Sequence, residues 1–260
     1  MNIVLLGSGN VATHLGRAFK LAGQTIVQVW SRNIHHAKEL ADSLASVAVS
    51  EIDDIDISAD LYIMAVKDEA IQILAAEIKL GDKLIVHTSG STGLEALKGV
   101  STRIGVFYPL QTFSKSRAVD FRQIPIAIEA NNAEDSAVIK SIADRLTEKV
   151  IELTSAQRKT LHVAAVFACN FTNHLFAISQ ELLQKDNLDF DLLRPLITET
   201  AGKIQLNDPV TVQTGPAVRE DQDIINSHLE MLRDNPELMD IYEKLSQSIV
   251  NLHKRSQRLL

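Results

Sequence analysis

The sequence predicts an α/β fold, in which a doubly wound, mainly parallel sheet is followed by an all-helical C-terminal domain. Two observations predict it. As far as Leu153, short apolar runs alternate with amphipathic helical patterns, and beyond that residue only helical patterns continue. Alternating strands and helices are typical of a parallel sheet covered by helices on both faces.

The predicted strands are short apolar runs that are rich in Ile, Val and Leu and lack a helical period. They comprise residues 3–6, 25–30, 61–66, 83–87, 103–108 and 124–129, with a short strand around 149–153 that closes the first half. Helical patterns between them cover residues 10–22, 33–44, 67–79 and 133–146.

The second half contains four predicted helices, at residues 155–186, 189–206, 221–233 and 236–258. Asp-Pro at 208–209 and Gly-Pro at 215–216 interrupt the pattern. The helix at 155–186 has no Gly or Pro and is apolar on most faces, which predicts that it is buried. We therefore expect two domains, residues 1–153 and 154–260.

Composition narrows the class of protein. The chain has 260 residues, is 45% hydrophobic and carries a formal net charge of -7, which does not favour a nucleic-acid partner. Its single cysteine, Cys169, excludes an internal disulfide and a cysteine-based zinc site, and no metal is expected. No uninterrupted apolar run of about 18 to 20 residues is present, and no leader is expected before Gly7. These features predict a cytoplasmic protein with no membrane partner.

A glycine-rich turn lies between the first strand and the first helix, in NIVLLGSGNVATHLGRAF (residues 2–19). Gly7 permits a tight turn, Gly9 allows the backbone to approach a pyrophosphate, and Ala12 lets the helix pack on the strand. This context predicts a Rossmann-type dinucleotide site. Its expected cofactor-binding residues are Gly7, Ser8, Gly9, Asn10, Val11 and Ala12. A glycine turn that binds no nucleotide remains the alternative.

The end of the second strand favours NADP over NAD. An NAD site usually has Asp or Glu there, whereas this chain reads Trp30-Ser31-Arg32-Asn33. Ser31 and Arg32 can donate hydrogen bonds to a 2′-phosphate. Alternatively, Ser31 or Asn33 caps the next helix and Arg32 is only solvated.

Beyond this site, the chain resembles a known family along nearly its whole length. The motifs are GSGNVA (7–12), WSRN (30–33), AVKDEAI (65–71), HTSGS (87–91), YPLQTF (108–113) and TGPAVREDQ (214–222), with HL at 228–229. In this order they are similar to Rossmann-like proteins with a DUF2520 C-terminal domain, which are NADP oxidoreductases of the F420-dependent type. That group is distantly related to pyrroline-5-carboxylate reductase and to the 6-phosphogluconate and β-hydroxyacid dehydrogenases.

The resemblance implies roles for both domains. Residues 1–153 would bind NADP, with Ala65 and Val66 beside the adenosine and residues 87–90, including Thr88 and Ser89, near the nicotinamide. Residues 154–260 would bind a small-molecule substrate and form a homodimer. The chain departs from its relatives at Lys67, usually proline, and at Glu220, usually glycine. Whether F420 replaces NADP stays open.

A polar stripe runs along the predicted helix at 155–186. At 100° per residue, Lys159, His162, Val166, Asn170 and Asn173 fall within an arc of about 80°. Related dehydrogenases use a Lys and an Asn four residues later on this helix. This chain lacks that pair, so His162 and Asn170 are the nearest analogues by face. A core histidine and interhelical amide bonds are the equally weighted alternative.

Three residues are therefore candidates for catalysis: His162 as general acid, with Asn170 and Ser89. Substrate contacts are expected from Ser91, Asn173 and Arg219, in a cleft between the domains. Ser91 could equally cap a helix that starts near Thr92. Arg219 belongs to a polar cluster with Asp221 and His228, which could instead be a helix cap with surface ion pairs.

Two functions follow from these residues. The leading hypothesis is an NADP(H)-dependent oxidoreductase that transfers a hydride to or from a small carbonyl, hydroxyl or imine substrate in the interdomain cleft. The alternative is a sensor or regulatory module that binds NADP(H) without turnover, which the missing Lys and Asn pair keeps open.

Overall fold

The computed structural model describes residues 1–257, and its central feature is one eight-stranded sheet. The strands are β1 (Asn2–Leu6), β2 (Thr25–Trp30), β3 (Val47–Val49), β4 (Leu61–Met64), β5 (Gly81–His87), β6 (Ser101–Pro109), β7 (Ile126–Ala130) and β8 (Val150–Glu152). Their order in the sheet is β3-β2-β1-β4-β5-β6-β7-β8.

Nine α-helices lie in the described part of the chain. They are α1 (Asn10–Leu21), α2 (Ile34–Leu44), α3 (Asp68–Glu77), α4 (Ala133–Ala143), α5 (Ser155–Ala165), α6 (Thr172–Lys185), α7 (Arg194–Leu206), α8 (Gln222–Met231) and α9 (Pro236–Gln257). The predicted end of the last helix at 258 and the predicted domain end at 260 lie outside the described residues.

The sheet is buried on both faces because successive side chains of a strand point in opposite directions. On β1, Ile3 and Leu5 join one apolar core with Leu15 and Phe19 of α1. Val4 and Leu6 join the other core, which includes Ile71 and Leu74 of α3. The predicted doubly wound α/β fold is thereby confirmed.

The strand order sets where a ligand can bind. The chain proceeds from β1 outward to β2 and β3, and then returns to β4 on the other side of β1. In open α/β sheets, such a reversal leaves a crevice at the carboxyl ends of the two central strands. The glycine turn follows β1 and residues 65–67 follow β4, so both lie at this crevice.

The structure differs from the predicted elements in several places. Strand β3 was not predicted, and β7 pairs with β6 in the antiparallel direction. A short 3₁₀ helix, Leu94–Leu97, replaces the helix expected near Thr92. The predicted helix at 155–186 is present, but a π-helical segment, Val166–Phe171, separates α5 from α6.

The chain divides into two compact units, Met1–Leu175 and Phe176–Leu260. The first contains the whole sheet together with α5 and the π-helical segment. The second is helical and includes α7, α8 and α9. The functional boundary expected between residues 153 and 154 stays a prediction, because contacts alone do not assign a function to either part.

The helix that runs through α5, the π-helical segment and α6 is not buried within the chain, so that expectation is wrong. Phe167 is 65% exposed and Phe171 48% exposed, and Cys169 is also exposed. By length and composition alone, Ser155–Lys185 could cross a membrane, which by itself is weak evidence. An exposed apolar surface of this kind is typical of a contact with another protein or with a membrane.

Candidate functional site

The glycine turn after β1 has a conformation that requires glycine at position 7. Gly7 has a φ of +127°, and a Cβ there would lie 2.3 Å from the carbonyl oxygen of Ala65. A Cβ on Gly9, in contrast, would meet no protein atom within 4 Å. Gly9 is the N-cap of α1 and provides no side-chain cap, so the first N–H groups of the helix are available to a ligand. The buried Ala12 packs α1 on the sheet, as expected.

The loop after β6 closes against this turn. The Asn10 side chain donates a hydrogen bond to the carbonyl oxygen of Phe113 at 2.9 Å. One turn later, His14 Nε2 lies 2.9 Å from the carbonyl oxygen of Ser114, and its ring stacks on Phe113. Asn10 therefore fixes the loop after β6 against the crevice, whereas Ser8 and Val11 remain half-buried beside it.

A cavity of about 490 Å³ opens at the end of β2 and is lined by Trp30, Arg32, Val66 and Lys67 among others. Asn33 caps α2 by accepting a hydrogen bond from the His35 N–H at 2.9 Å. The capping role thus belongs to Asn33, and the Ser31 hydroxyl is not used for it. Arg32 is exposed and forms no ion pair within residues 1–257.

These features fit a dinucleotide phosphate. The open space over Gly9 and the uncapped end of α1 suit a pyrophosphate, and the unpaired Arg32 guanidinium suits a further phosphate at the cavity rim. Acidic side chains also line this cavity, namely Glu51, Asp53 and Glu77. Lys67 adds a second cation there.

The loop after β5 is anchored by a buried histidine. His87 is fully buried, and its Nδ1 accepts a hydrogen bond from the Ser89 N–H at 3.2 Å. Burial, reinforced by the nearby Arg158 guanidinium, lowers the pKa of His87 to about 4. The ring is therefore neutral near pH 7. The Thr88 N–H bonds to the Met64 carbonyl, which joins this loop to the end of β4 beside Ala65 and Val66.

The two candidate serines make different contacts. Ser89 Oγ accepts hydrogen bonds from the N–H groups of Ser91 at 3.1 Å and Thr92 at 2.9 Å, which closes the turn. Ser91 Oγ is exposed and donates a hydrogen bond to the Asp68 carboxylate. Neither serine caps a helix, because the 3₁₀ helix Leu94–Leu97 has Gly93 as its N-cap and no side-chain cap, and the Ser91 hydroxyl links this loop to α3.

A buried arginine holds the same loop from α5. Arg158 is fully buried, and its Nη1 donates hydrogen bonds to the carbonyl oxygens of Ser89 at 3.2 Å and Thr92 at 2.8 Å. Its Nη2 forms an ion pair with Glu129 of β7 at 3.0 Å. Glu129 also accepts hydrogen bonds from the N–H and hydroxyl of Ser155, the first residue of α5. The start of α5 is therefore fixed to the β5 loop and to β7.

His162, one turn further along α5, is brought against the end of β6. Its Nδ1 lies 3.1 Å from the Tyr108 hydroxyl, and the two rings are nearly perpendicular. Gly90 lies beside the two rings and leaves room for them, since a Cβ there would lie 2.6 Å from His162 Nδ1. The structure therefore brings together His162, Ser89 and the β5 loop, at the carboxyl end of the parallel strands.

The other members of the polar stripe cannot be placed beside His162 by the uniform helical spacing that the prediction used. Asn170 lies in the π-helical segment and Asn173 just after it, and i→i+5 turns break the uniform 100° step. The 80° arc therefore does not describe this helix. Both asparagine side chains, like Lys159, are exposed.

The cluster around Arg219 belongs to the helical unit. Asp221 caps α8 by accepting a hydrogen bond from the Ile224 N–H at 3.3 Å. His228 Nδ1 lies 2.8 Å from the Tyr242 hydroxyl, and Glu220 pairs with Lys254 at 2.8 Å. Arg219 itself is exposed, with no ion pair among the described residues. Capping and local pairing thus account for Asp221 and His228.

Sequence reasoning missed three residues of this site: Tyr108, Glu129 and Arg158. Tyr108 stands at the carboxyl end of β6, where ligands of α/β sheets bind, and the YPLQTF motif marks that place. Arg158 and Glu129 carry no such signal, because their ion pair joins residues 29 apart in the chain.

Two family models match the chain. Residues 2–90 match "NADP oxidoreductase coenzyme F420-dependent", and residues 124–249 match the domain of unknown function DUF2520. Comparison with curated proteins gives no match.

Solved structures provide three informative comparisons. A Bacteroides fragilis protein assigned as an NADP oxidoreductase is 46% identical, over 96% of this chain and 98% of its own, with a TM-score of 0.90. A pyrroline-5-carboxylate reductase from Streptococcus pyogenes is 14% identical, over 96% and 98%, with a TM-score of 0.64. An imine reductase from Myxococcus stipitatus in complex with NADP⁺ is 15% identical, over 100% and 95%, with a TM-score of 0.59. The latter two show the same fold.

Proposed function

This chain belongs to the family of NADP oxidoreductases that combine a Rossmann-type domain with DUF2520, and we propose that it transfers a hydride between NADP(H) and a small carbonyl, hydroxyl or imine compound. One observation carries the proposal. The glycine turn and the His162 ring both lie at the carboxyl ends of the parallel strands, within one compact unit. A cofactor site and a proton donor at the same edge are what a reductase requires.

We assign the cofactor contacts to residues at the crevice and at the end of β2. The backbone of Gly7–Ala12 would bind the pyrophosphate, and Ser31 and Arg32 would bind the 2′-phosphate. Ala65, Val66 and Thr88 would form the inner wall of the cofactor crevice. When bound, NADPH supplies the hydride. The chain itself binds and orients the reactants.

We assign to His162 the donation of the proton that the substrate gains. Histidine exchanges protons near neutral pH, and the Nε2 of His162 makes no hydrogen bond to any described residue. His87, the other histidine at this edge, is unsuited because burial keeps it neutral. Roles of Ser89, Ser91, Asn170, Asn173 and Arg219 toward the substrate stay predictions.

Imines are the substrates to test first. The imine reductase and the pyrroline-5-carboxylate reductase share this fold, and both names denote reduction of a C=N bond. That likeness supports a choice of assay and identifies no substrate. Small ketones are the second class.

Oxidation of NADPH in the presence of cyclic imines and small ketones tests the function. We expect turnover with at least one compound, and a loss of about 10² to 10⁴-fold in His162→Asn, the range for general acid catalysis. His36→Asn, which removes an exposed histidine of α2, is the matched control. Tight NADPH binding without turnover of any compound would instead support the sensor.

We also propose that the exposed apolar side chains of the helix from α5 to α6 are covered by a second copy of the chain. Val163, Phe167 and Phe171 lie on this helix and are 48 to 65% exposed. The same helix carries Lys159, His162 and Asn170, polar groups that favour an aqueous protein interface over a lipid one. A two-fold homodimer is the commonest soluble assembly, and a cytoplasmic location agrees with it.

A further inference from the structure

The direction of the hydrogen bond between Tyr108 and His162 depends on which imidazole nitrogen carries the proton. The Tyr108 hydroxyl makes no other hydrogen bond to the described residues, so Nδ1 of His162 is the one acceptor among them for its O–H. Burial raises the pKa of Tyr108, which keeps the hydroxyl protonated near neutral pH. Because a neutral imidazole has one N–H, an O–H that donates to Nδ1 leaves the ring proton on Nε2.

Two neighbours keep this pair in place. A Cβ on Gly90 would lie 2.6 Å from His162 Nδ1 and 2.8 Å from Tyr108 Cζ, so both rings pack against this glycine. Arg158 holds the same loop through the carbonyl oxygens on either side of the glycine, those of Ser89 and Thr92. The contact is thus supported by the ion pair of the fully buried Arg158 with Glu129.

We propose that Tyr108 is a positioning residue. Its hydroxyl occupies Nδ1 of His162 in a hydrogen bond, so that Nε2 is the nitrogen that gives its proton to the substrate. This inference rests on the proposed function for its catalytic part. In the neutral ring, the Tyr108 O–H donates to Nδ1, and in the charged ring the Nδ1–H donates to the Tyr108 oxygen. The charged ring is the acid: its Nε2–H bond breaks as the proton passes to the substrate oxygen or nitrogen, the Nδ1–H stays bonded to the Tyr108 oxygen, and a proton from water later restores the Nε2–H bond.

Nitrogen NMR of ring-labelled histidine tests the pair without a substrate. His162→Asn identifies the signals of His162 among the 8 histidines. In the neutral wild-type ring, we expect the proton on Nε2 and an unprotonated, hydrogen-bonded Nδ1. Tyr108→Phe should shift Nδ1 toward the value of a free imidazole. A proton on Nδ1 in the wild type, or unchanged His162 signals in Tyr108→Phe, would overturn the inference.

The chain offers a matched control, because His228 and Tyr242 make the same Nδ1-to-hydroxyl contact in the helical unit. Tyr242→Phe should change the His228 signals and leave those of His162 alone. Gly90→Ala should reproduce the effect of Tyr108→Phe on His162 although the hydroxyl remains. If Gly90→Ala leaves the His162 signals unchanged, the packing argument fails.

Kinetics with the best substrate provide the catalytic readout. Tyr108→Phe should lower kcat by about 10-fold, the order expected for one hydrogen bond, with the KM for NADPH unchanged. Tyr242→Phe should keep the wild-type kcat. An unaltered kcat in Tyr108→Phe, or a loss as large as that in His162→Asn, would contradict a positioning role. Absence of turnover in the wild type would refute the proposed function, whereas the NMR result would stand.

Discussion

A single Cβ has opposite consequences at two glycines of the cofactor turn. At Gly7 the Cβ would lie 2.3 Å from a backbone oxygen, and alanine would have to adopt the φ of +127° that glycine has there. We therefore expect Gly7→Ala to lower stability by about 1–3 kcal/mol. At Gly9 it would meet no protein atom within 4 Å, so Gly9→Ala should fold normally. The Cβ at Gly9 would however occupy space that a pyrophosphate needs, and NADPH affinity should fall at least about 10-fold.

Thermal unfolding and NADPH titration on the same samples separate these effects. Normal NADPH affinity in a stably folded Gly9→Ala would contradict the assignment of this turn to the pyrophosphate. A Gly7→Ala protein as stable as the wild type would contradict the steric argument.

At the end of β2, the Arg32 side chain should determine cofactor preference. A charge-assisted hydrogen bond to a 2′-phosphate is worth about 1.5–3 kcal/mol, so Arg32→Ala should raise the Kd for NADPH about 10 to 100-fold. The Kd for NADH, which lacks that phosphate, should hardly change. Arg17→Ala removes an exposed arginine of α1 and serves as the control. Equal wild-type affinities for the two cofactors would refute the preference for NADP.

At the scale of single residues, the sequence predicted the glycine turn better than the surroundings of His162. Gly7, Gly9 and Ala12 form a local motif whose spacing has a direct physical meaning. Tyr108 and Arg158 act through contacts between elements far apart in the chain. Such contacts become visible only when β5, β6 and α5 are placed in space.

At the scale of elements, the apolar runs predicted the long strands correctly because each is buried on both faces. Strand β3 was not predicted, whereas β8, which is equally short, was predicted as the run that closes the first half. The π-helical segment was missed, since i→i+5 hydrogen bonding has no residue signature. It turns Asn170 and Asn173 away from the arc that a regular helix would give them.

The helix from α5 to α6 should determine the assembly. Phe167→Asp places a carboxylate where a second copy is proposed to bind, and burial of an unpaired charge is unfavourable. We expect light scattering to find a dimer for the wild type and a monomer for Phe167→Asp at micromolar concentration. Leu21→Asp, at a residue 90% exposed on α1, should remain dimeric. A monomeric wild type would refute the homodimer.

At the scale of the whole molecule, the buried His87 should make stability depend on pH. Its pKa is about 4 in the folded chain, against 6.5 for an ordinary histidine. Above pH 6.5 neither state binds the proton, and between 6.5 and 4 only the unfolded state does, so stability falls as the pH falls. The expected loss from this group is about 2 kcal/mol at pH 5 and is complete below pH 4.

His87→Asn removes the titration while its amide oxygen can still accept the Ser89 N–H. Urea unfolding at pH 7 and pH 5 should therefore show a smaller loss of stability in His87→Asn than in the wild type. His36→Asn should lose as much stability between pH 7 and pH 5 as the wild type. Equal pH dependence in all three proteins would show that His87 does not titrate as described.

The two ends of the sheet limit how these molecules can aggregate. The edge strands, β3 and β8, have three residues each, although the strands between them have up to nine. An edge strand is a template for a foreign strand, and three residues offer too few free N–H and C=O groups to hold one. Cross-β growth therefore finds no productive starting point at the two edges of this sheet. Pairing of a foreign strand would have to begin from an unfolded chain, so that resistance to such fibrils depends on folding stability.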